Sequence, residues 1–178
     1  VTTAERDTVV VRPAELRDVH DIRQIDSQVY PTPWSQALTI EQITGRSRVH
    51  LVAQHNHRVV GHGGIALLDG DAHITTVAID PSHQRRGLGS VLVTHLFRAA
   101  EANGCDAVTL EVRVSNHGAI ALYEKHGLES AGIRPGYYAD DGEDAMIMWS
   151  KRGGEAARRV EGANTVSDFV GGETDAQA

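Results

Sequence analysis

The chain has 178 residues, 40% of them hydrophobic and 23% charged, with a net charge of −7, which is the make-up of one ordinary globular domain. Its single cysteine, Cys105, excludes an intrachain disulfide. The acidic balance argues against nucleic-acid binding through a basic surface, and no apolar run reaches the roughly 20 residues of a membrane span. Val1 to Thr8 is polar and has no signal-peptide core, so a cytoplasmic location is expected.

Thr8 to Arg12 reads as a short strand closed by Pro13. Leu16, Val19, Ile22, Ile25 and Val29 recur at three- and four-residue spacing and predict an amphipathic helix, which Tyr30-Pro31-Thr32-Pro33 must break. Ser35 is placed to cap a second helix running to about Gly45. Val49 to Gln54, Arg58 to Leu68 and Asp71 to Ile79 then predict an antiparallel meander, with a hairpin at Asp69-Gly70. Val91, Leu92, His95, Leu96, Ala99 and Ala100 share one helical face, and Gly104 stops that helix. Val108, Leu110 and Val112 alternate as a strand. Asn116 to His126 predicts a helix, and Leu128 to Tyr138 and Ala145 to Trp149 predict two closing strands. The order describes an α+β domain with a mixed sheet over residues 1–152. Residues 153–178 are Gly-, Ala- and acid-rich and read as a disordered tail, in which Glu155 to Gly162 offers one marginal helix.

Gln84-Arg85-Arg86-Gly87-Leu88-Gly89-Ser90 lies between a strand and a helix. Free backbone N–H groups and the helix dipole favour an anion there, and glycines let the backbone approach it. No Gly-Lys-Ser/Thr follows, so this is not a nucleoside-triphosphate loop, and no G-x-G-x-x-G dinucleotide fingerprint is present. Taken with Val77-Ala78-Ile79-Asp80-Pro81, the string resembles the cofactor motif of the GCN5-related N-acetyltransferase superfamily (GNAT), Q/R-x-x-G-x-G/A. That resemblance implies acetyl-CoA bound through Val77, Ala78, Ile79, Gln84, Arg85, Arg86, Gly87, Leu88, Gly89 and Ser90, and no metal. It also implies a mostly antiparallel central sheet of about seven strands flanked by four helices.

Downstream, Glu111 alternates with Leu110 and Val112, and Tyr123 lies seven residues beyond Asn116 on one helical face. A carboxylate, an amide and a phenol can thus meet in one cleft, which suits amine acetylation: one group removes a proton from the amine and another returns one to the thiolate. Leu110-Glu111-Val112-Arg113 with Ser115-Asn116 and Ala121-Leu122-Tyr123-Glu124, together with Pro33-Trp34-Ser35, Tyr137-Tyr138 and Gly142-Glu143-Asp144-Ala145, is similar to the RimI-like branch, the bacterial ribosomal-protein-alanine N-acetyltransferases. The resemblance runs from Val9 to Trp149. It implies Glu111 as general base, Tyr123 as proton donor, Asn116 on the cofactor, and Pro33, Trp34, Tyr137, Tyr138 and Asp140 along the acceptor groove. Leu128 stands where that branch has Phe, and Pro135-Gly136 replaces a more basic stretch.

The implied acceptor is a protein N-terminus, with a basic ribosomal protein favoured by the acid run Asp140, Asp141, Glu143 and Asp144. A small-molecule amine or lysine acetyltransferase is the alternative, and a non-catalytic acyl-CoA sensor a further one. No nucleic-acid or membrane partner is expected, and the chain is expected to be a monomer or weak dimer. Among ten histidines, His55 and His57 read as surface residues, and Cys105 reads as a small residue entering a strand, not an acyl carrier.

Overall fold

The computed structural model describes residues 9–150; the expected tail and its marginal helix lie outside the described residues. The elements are β1 (Val9–Pro13), α1 (Val19–Val29), α2 (Gln36–Thr44), β2 (Arg48–His55), β3 (Arg58–Leu68), β4 (Asp71–Ile79), α3 (Leu88–Ala102), β5 (Ala107–Arg113), α4 (His117–Lys125), β6 (Leu128–Arg134) and β7 (Ala145–Ser150). Seven strands make one sheet in the order β1-β2-β3-β4-β5-β7-β6. Every neighbouring pair is antiparallel except β4 and β5. This is the α+β architecture the resemblance implies. β6 ends four residues before the expected Tyr138. Pro135 breaks the strand there, Gly136 turns at φ +61°, and its N–H donates to Asp144 Oδ1 at 2.8 Å.

α3 and α4 cover one face of the sheet, where Leu92, Leu96, Leu110, Val112, Leu128 and Met148 are wholly or almost wholly buried. Each such side chain contributes roughly 1.5–3 kcal/mol by leaving water. On the opposite face Ile22 and Ile25 of α1 pack on Val52, Val59 and Ala78. α2 begins as its sequence predicts, with Ser35 Oγ accepting the N–H of Leu38 at 3.2 Å.

The parallel pair fixes the place of the site. β4 and β5 pair only over Asp71–His73 and Ala107–Thr109. Just beyond, the register of β4 against β3 steps from Ile74↔Ile65 to Thr76↔Gly64, so Thr75 is a bulge. A bulge bends its strand and ends local pairing. The remaining half of β4 is left without β5 beside it, and a cleft opens between the two.

Candidate active site

The β4–α3 loop presents the helix start that an anion needs. Gly87 is the N-cap of α3, holds φ +80°, and supplies no side chain to cap the first N–H groups. Gln84, Arg85 and Arg86 are exposed beside it, with Arg85 itself at φ +62°. Gln84 is partly committed, its Nε2 donating to Ile79 O at 3.1 Å. A Cβ on Gly89 would meet Leu122 Cδ2 at 3.2 Å, so this glycine sets the spacing of α3 and α4. Leu88 is buried, and Ser90 Oγ lies 2.9 Å from His126 Nε2. Burial, and Lys125 beside it, lower the pKa of His126, so it caps α4 as a neutral ring and not as the cation its helix end would favour.

Between the parted strands lies a cavity of about 390 Å³. Val77 and Arg113 form its strand walls, Asn116 and Tyr123 enter from α4, and Tyr138 and Asp140 close it from the β6–β7 loop. Tyr30 closes the other side, its hydroxyl 3.0 Å from Thr76 Oγ1 and donating to Val77 O at 3.0 Å. Asn116 caps α4 through Oδ1, which accepts from Ala119 N at 3.1 Å, and this leaves its amide N–H groups for a ligand. Burial raises the phenol pKa of Tyr30, Tyr123 and Tyr138, so all three keep their protons at neutral pH.

Glu111 sits deeper, 2% exposed, on the face opposite Leu110 and Val112. His73 Nε2 is 3.0 Å from its Oε2, and Arg134 Nε is 3.6 Å from Oε1. Burial works to raise the carboxyl pKa, but His73 and Arg134 outweigh it and hold Glu111 below the ordinary value, hence ionised. Its negative charge in turn acts on Tyr138. Glu111 does not line the cavity and reaches it only through water or a neighbour.

The acid run is an internal clamp. Arg113 donates to Asp140 at 2.7 and 2.8 Å, to Asp141 at 2.9 Å and to Glu143 at 3.1 Å. Glu143 also accepts Ser115 N–H, and the Arg113 guanidinium lies 3.9 Å from the Tyr138 ring centre. Burial opposes the guanidinium charge, yet the three carboxylates raise its pKa above the ordinary value. Sequence alone turns the acid run outward to a basic peptide; in the structure Asp140, Asp141 and Glu143 share one internal cation, Arg113.

Of the residues read from sequence, Val77, Asn116, Tyr123, Tyr138 and Asp140 converge on the cavity. Glu111 lies behind it, Tyr137 is half-buried with its ring edge-on to Tyr138, and Ala78 turns into the α1 core. Ile79 packs against the α3 face. Pro33 is exposed, but Trp34 is buried at 6% exposure and does not line the cavity, so its place is in the core. Tyr30, His73 and Arg113 were not read as site residues. His73 and Glu111 become neighbours only through the β4–β5 register, in which His73 pairs with Thr109. Among the described residues no group of three or more His, Cys, Asp or Glu side chains is placed to hold a metal ion.

Comparison with known proteins bears on this geometry. The model of the acetyltransferase (GNAT) family matches residues 19–128. The [ribosomal protein bS18]-alanine N-acetyltransferase of Escherichia coli (strain K12) is 35% identical over 136 residues, which cover 75% of this chain and 91% of that one. The N-alpha-acetyltransferase RimI of Mycobacterium tuberculosis is 28% identical over 152 residues, covering 82% and 94%. The crystal structure of the ribosomal-protein-S18-alanine N-acetyltransferase from Escherichia coli is similar with a TM-score of 0.74 at 32% identity, covering 83% of this chain and 97% of that one.

Proposed function

The chain belongs to the GNAT acetyltransferase family and is an N-acetyltransferase, and from that premise we propose that it moves the acetyl group of acetyl-CoA onto the free α-amine of a protein N-terminus. The acceptor proposed is the one its relatives are named for, the alanine terminus of ribosomal protein bS18. The observation that carries the reading is the cavity where β4 and β5 part, which gathers Asn116, Tyr123 and Tyr138 in front of Glu111.

Acetyl-CoA fits the chain at two points. The uncapped start of α3 beside Arg85 and Arg86 suits a pyrophosphate, and the unpaired half of β4 offers backbone groups to an extended arm. The acceptor enters from the opposite face, past Tyr30, Thr32 and Tyr138. Glu111 draws a proton from the amine through water, and Tyr123 keeps its own until the thiolate leaves. An α-amine suits a base that works through water. With ordinary pKa values of roughly 8 and 10.4, about a tenth of α-amines are neutral at pH 7, against a few in ten thousand lysines.

Transfer is direct. Cys105 is buried, and burial together with Asp71 and Asp106 raises its thiol pKa, which disfavours the thiolate an acyl carrier needs. Among the described residues no helix is long and apolar enough to cross a membrane, and the proposed place of action is the cytoplasm. The test offers acetyl-CoA with one peptide in two forms, free and blocked at its N-terminus, each with an internal lysine. A mass gain confined to the free form, with no acetylated enzyme in the quench, is the expected result. A gain on the blocked form assigns the chain to lysines and overturns the proposal.

A further inference from the structure

Hydrogen-bonded and non-hydrogen-bonded pairs alternate along an antiparallel ladder, so one bond fixes the aim of every backbone group on it. The register of β3 on β4 pairs Gly61 with Ile79, which sets Val60 opposite Asp80. Asp80 N–H donates to Val60 O at 2.9 Å. Counting back along the ladder, His62↔Ala78 and Gly64↔Thr76 are hydrogen-bonded pairs, and Gly61↔Ile79 and Gly63↔Val77 are not. Consistently, Ala78 O and Thr76 O lie toward β3, 3.1 and 3.3 Å from where a Cβ on Gly61 and on Gly63 would stand. The N–H and C=O groups of Val77 and Ile79 therefore point the other way, into the gap that β5 leaves.

Each of those two carbonyls is held by a side chain, and the two side chains come from different loops. Ile79 O accepts from Gln84 Nε2 of the β4–α3 loop at 3.1 Å. Val77 O accepts from the Tyr30 hydroxyl at 3.0 Å. The phenol proton is committed to that carbonyl, so at the 3.0 Å contact between the two hydroxyls Thr76 donates to Tyr30. Two such bonds in series polarise and strengthen each other.

Sequence neighbours put Tyr30 there. It is the C-cap of α1, its N–H donates to Asp26 O at 2.9 Å, and it turns extended, as the proline after it requires. Its ring packs on the cluster of Ile22, Ile25 and Ala78. Pro31 and Thr32, next in the chain, line the cavity beside it. One side chain thus holds the strand edge offered to the arm of acetyl-CoA and begins the segment that the acceptor passes.

Resting on the acetyltransferase reading above, we propose that Tyr30 is a positioning residue that couples the acetyl-CoA site to the acceptor site. An arm laid along Val77 displaces water from the Tyr30–Val77 bond, and a polar contact strengthens as water leaves it. The strengthened bond fixes Tyr30, and with it Pro31 and Thr32, so the acceptor has less loop freedom to remove when it binds. The coupling is reciprocal: a bound acceptor tightens acetyl-CoA by the same factor.

The test is calorimetry of a peptide with a free alanine terminus, alone and with saturating S-acetonyl-CoA, a ketone analogue that cannot transfer its acyl group. Wild type should bind the peptide at least about fivefold tighter with the analogue than without it, and Tyr30→Phe, which deletes only the hydroxyl, should bring that ratio below about twofold. A packing role alone would weaken the peptide equally with and without the analogue, leaving the ratio intact, and that result overturns the proposal. Thr76→Val removes the donor to the Tyr30 oxygen and should lower the ratio by a smaller amount; it carries the test where Tyr30→Phe does not fold. An unchanged ratio in that variant, or a wild type that binds both ligands without coupling, overturns the proposal and leaves the acetyltransferase reading standing. A wild type that does not bind both ligands sinks that reading, and this proposal with it.

Discussion

Gly87→Ala separates backbone strain from steric blocking at the cofactor loop. Gly87 holds φ +80°, and a Cβ there would find no atom within 4 Å, so the methyl has room and the whole cost is conformational. An L-residue in the left-handed region costs roughly 1–2 kcal/mol. If the loop keeps its shape, that cost falls on folding and lowers Tm by about 2–8 °C for a chain of this size. If the loop instead relaxes, the first N–H groups of α3 turn off their aim and the cost falls on acetyl-CoA, as a loss of up to about 30-fold in affinity. Thermal melts with and without acetyl-CoA, together with calorimetric Kd, read both channels. The two effects should sum to the strain. Wild-type values for both would show that the loop has no need of a positive φ, and the reasoning about this glycine would fail. Gly87→Glu adds bulk and a negative charge against the pyrophosphate and should abolish binding outright.

Other outcomes are equally specific. Tyr123→Phe should keep the fold and acetyl-CoA affinity while kcat falls by about 10²–10⁴, the range for a lost general acid; a loss confined to KM would make the phenol a packing residue. Arg113→Gln should release Asp140, Asp141 and Glu143, raise the peptide KM, and leave the acetyl-CoA Kd within twofold; steady-state kinetics against each substrate would decide it. Glu111 is held below its ordinary pKa in the folded chain, so it contributes stability above the unfolded value of about 4.3, lost as pH falls through its folded pKa. The stability gap between wild type and Glu111→Gln should therefore be full above about pH 4.3 and narrow progressively as pH falls below it. A constant gap across that range would remove the His73 pairing from the account.

The sequence made some of this legible and hid the rest for physical reasons. Spacing of three and four marked the helices, and alternation marked the strands. The loop at Gly87 and Gly89 and the pair Asn116 and Tyr123 are local patterns, and they fall where they were read. Proximity across strands is not local. His73 and Glu111 are 38 positions apart and meet only because β4 and β5 pair in parallel, and nothing in either segment states that register. The acid run shows a related limit: its charges were visible, but the Arg113 that pairs with three of them lies on β5, far away in sequence. Trp34 was assigned to the groove from its motif, while burial puts it in the core. Tyr30 looked like a helix end alone, because its partners Thr76 and Val77 belong to β4.

The central claim is that the acceptor is an α-amine on a peptide, and kcat/KM for acetyl transfer measures it most directly. Three acceptors suffice, each followed by mass spectrometry: a peptide with a free alanine terminus matching ribosomal protein bS18, the same peptide blocked at that terminus and bearing a lysine, and a small polyamine. The free alanine terminus should exceed both others by at least about two decades, following the larger neutral fraction of an α-amine at pH 7. A polyamine or lysine peptide that equals or exceeds it would contradict the account.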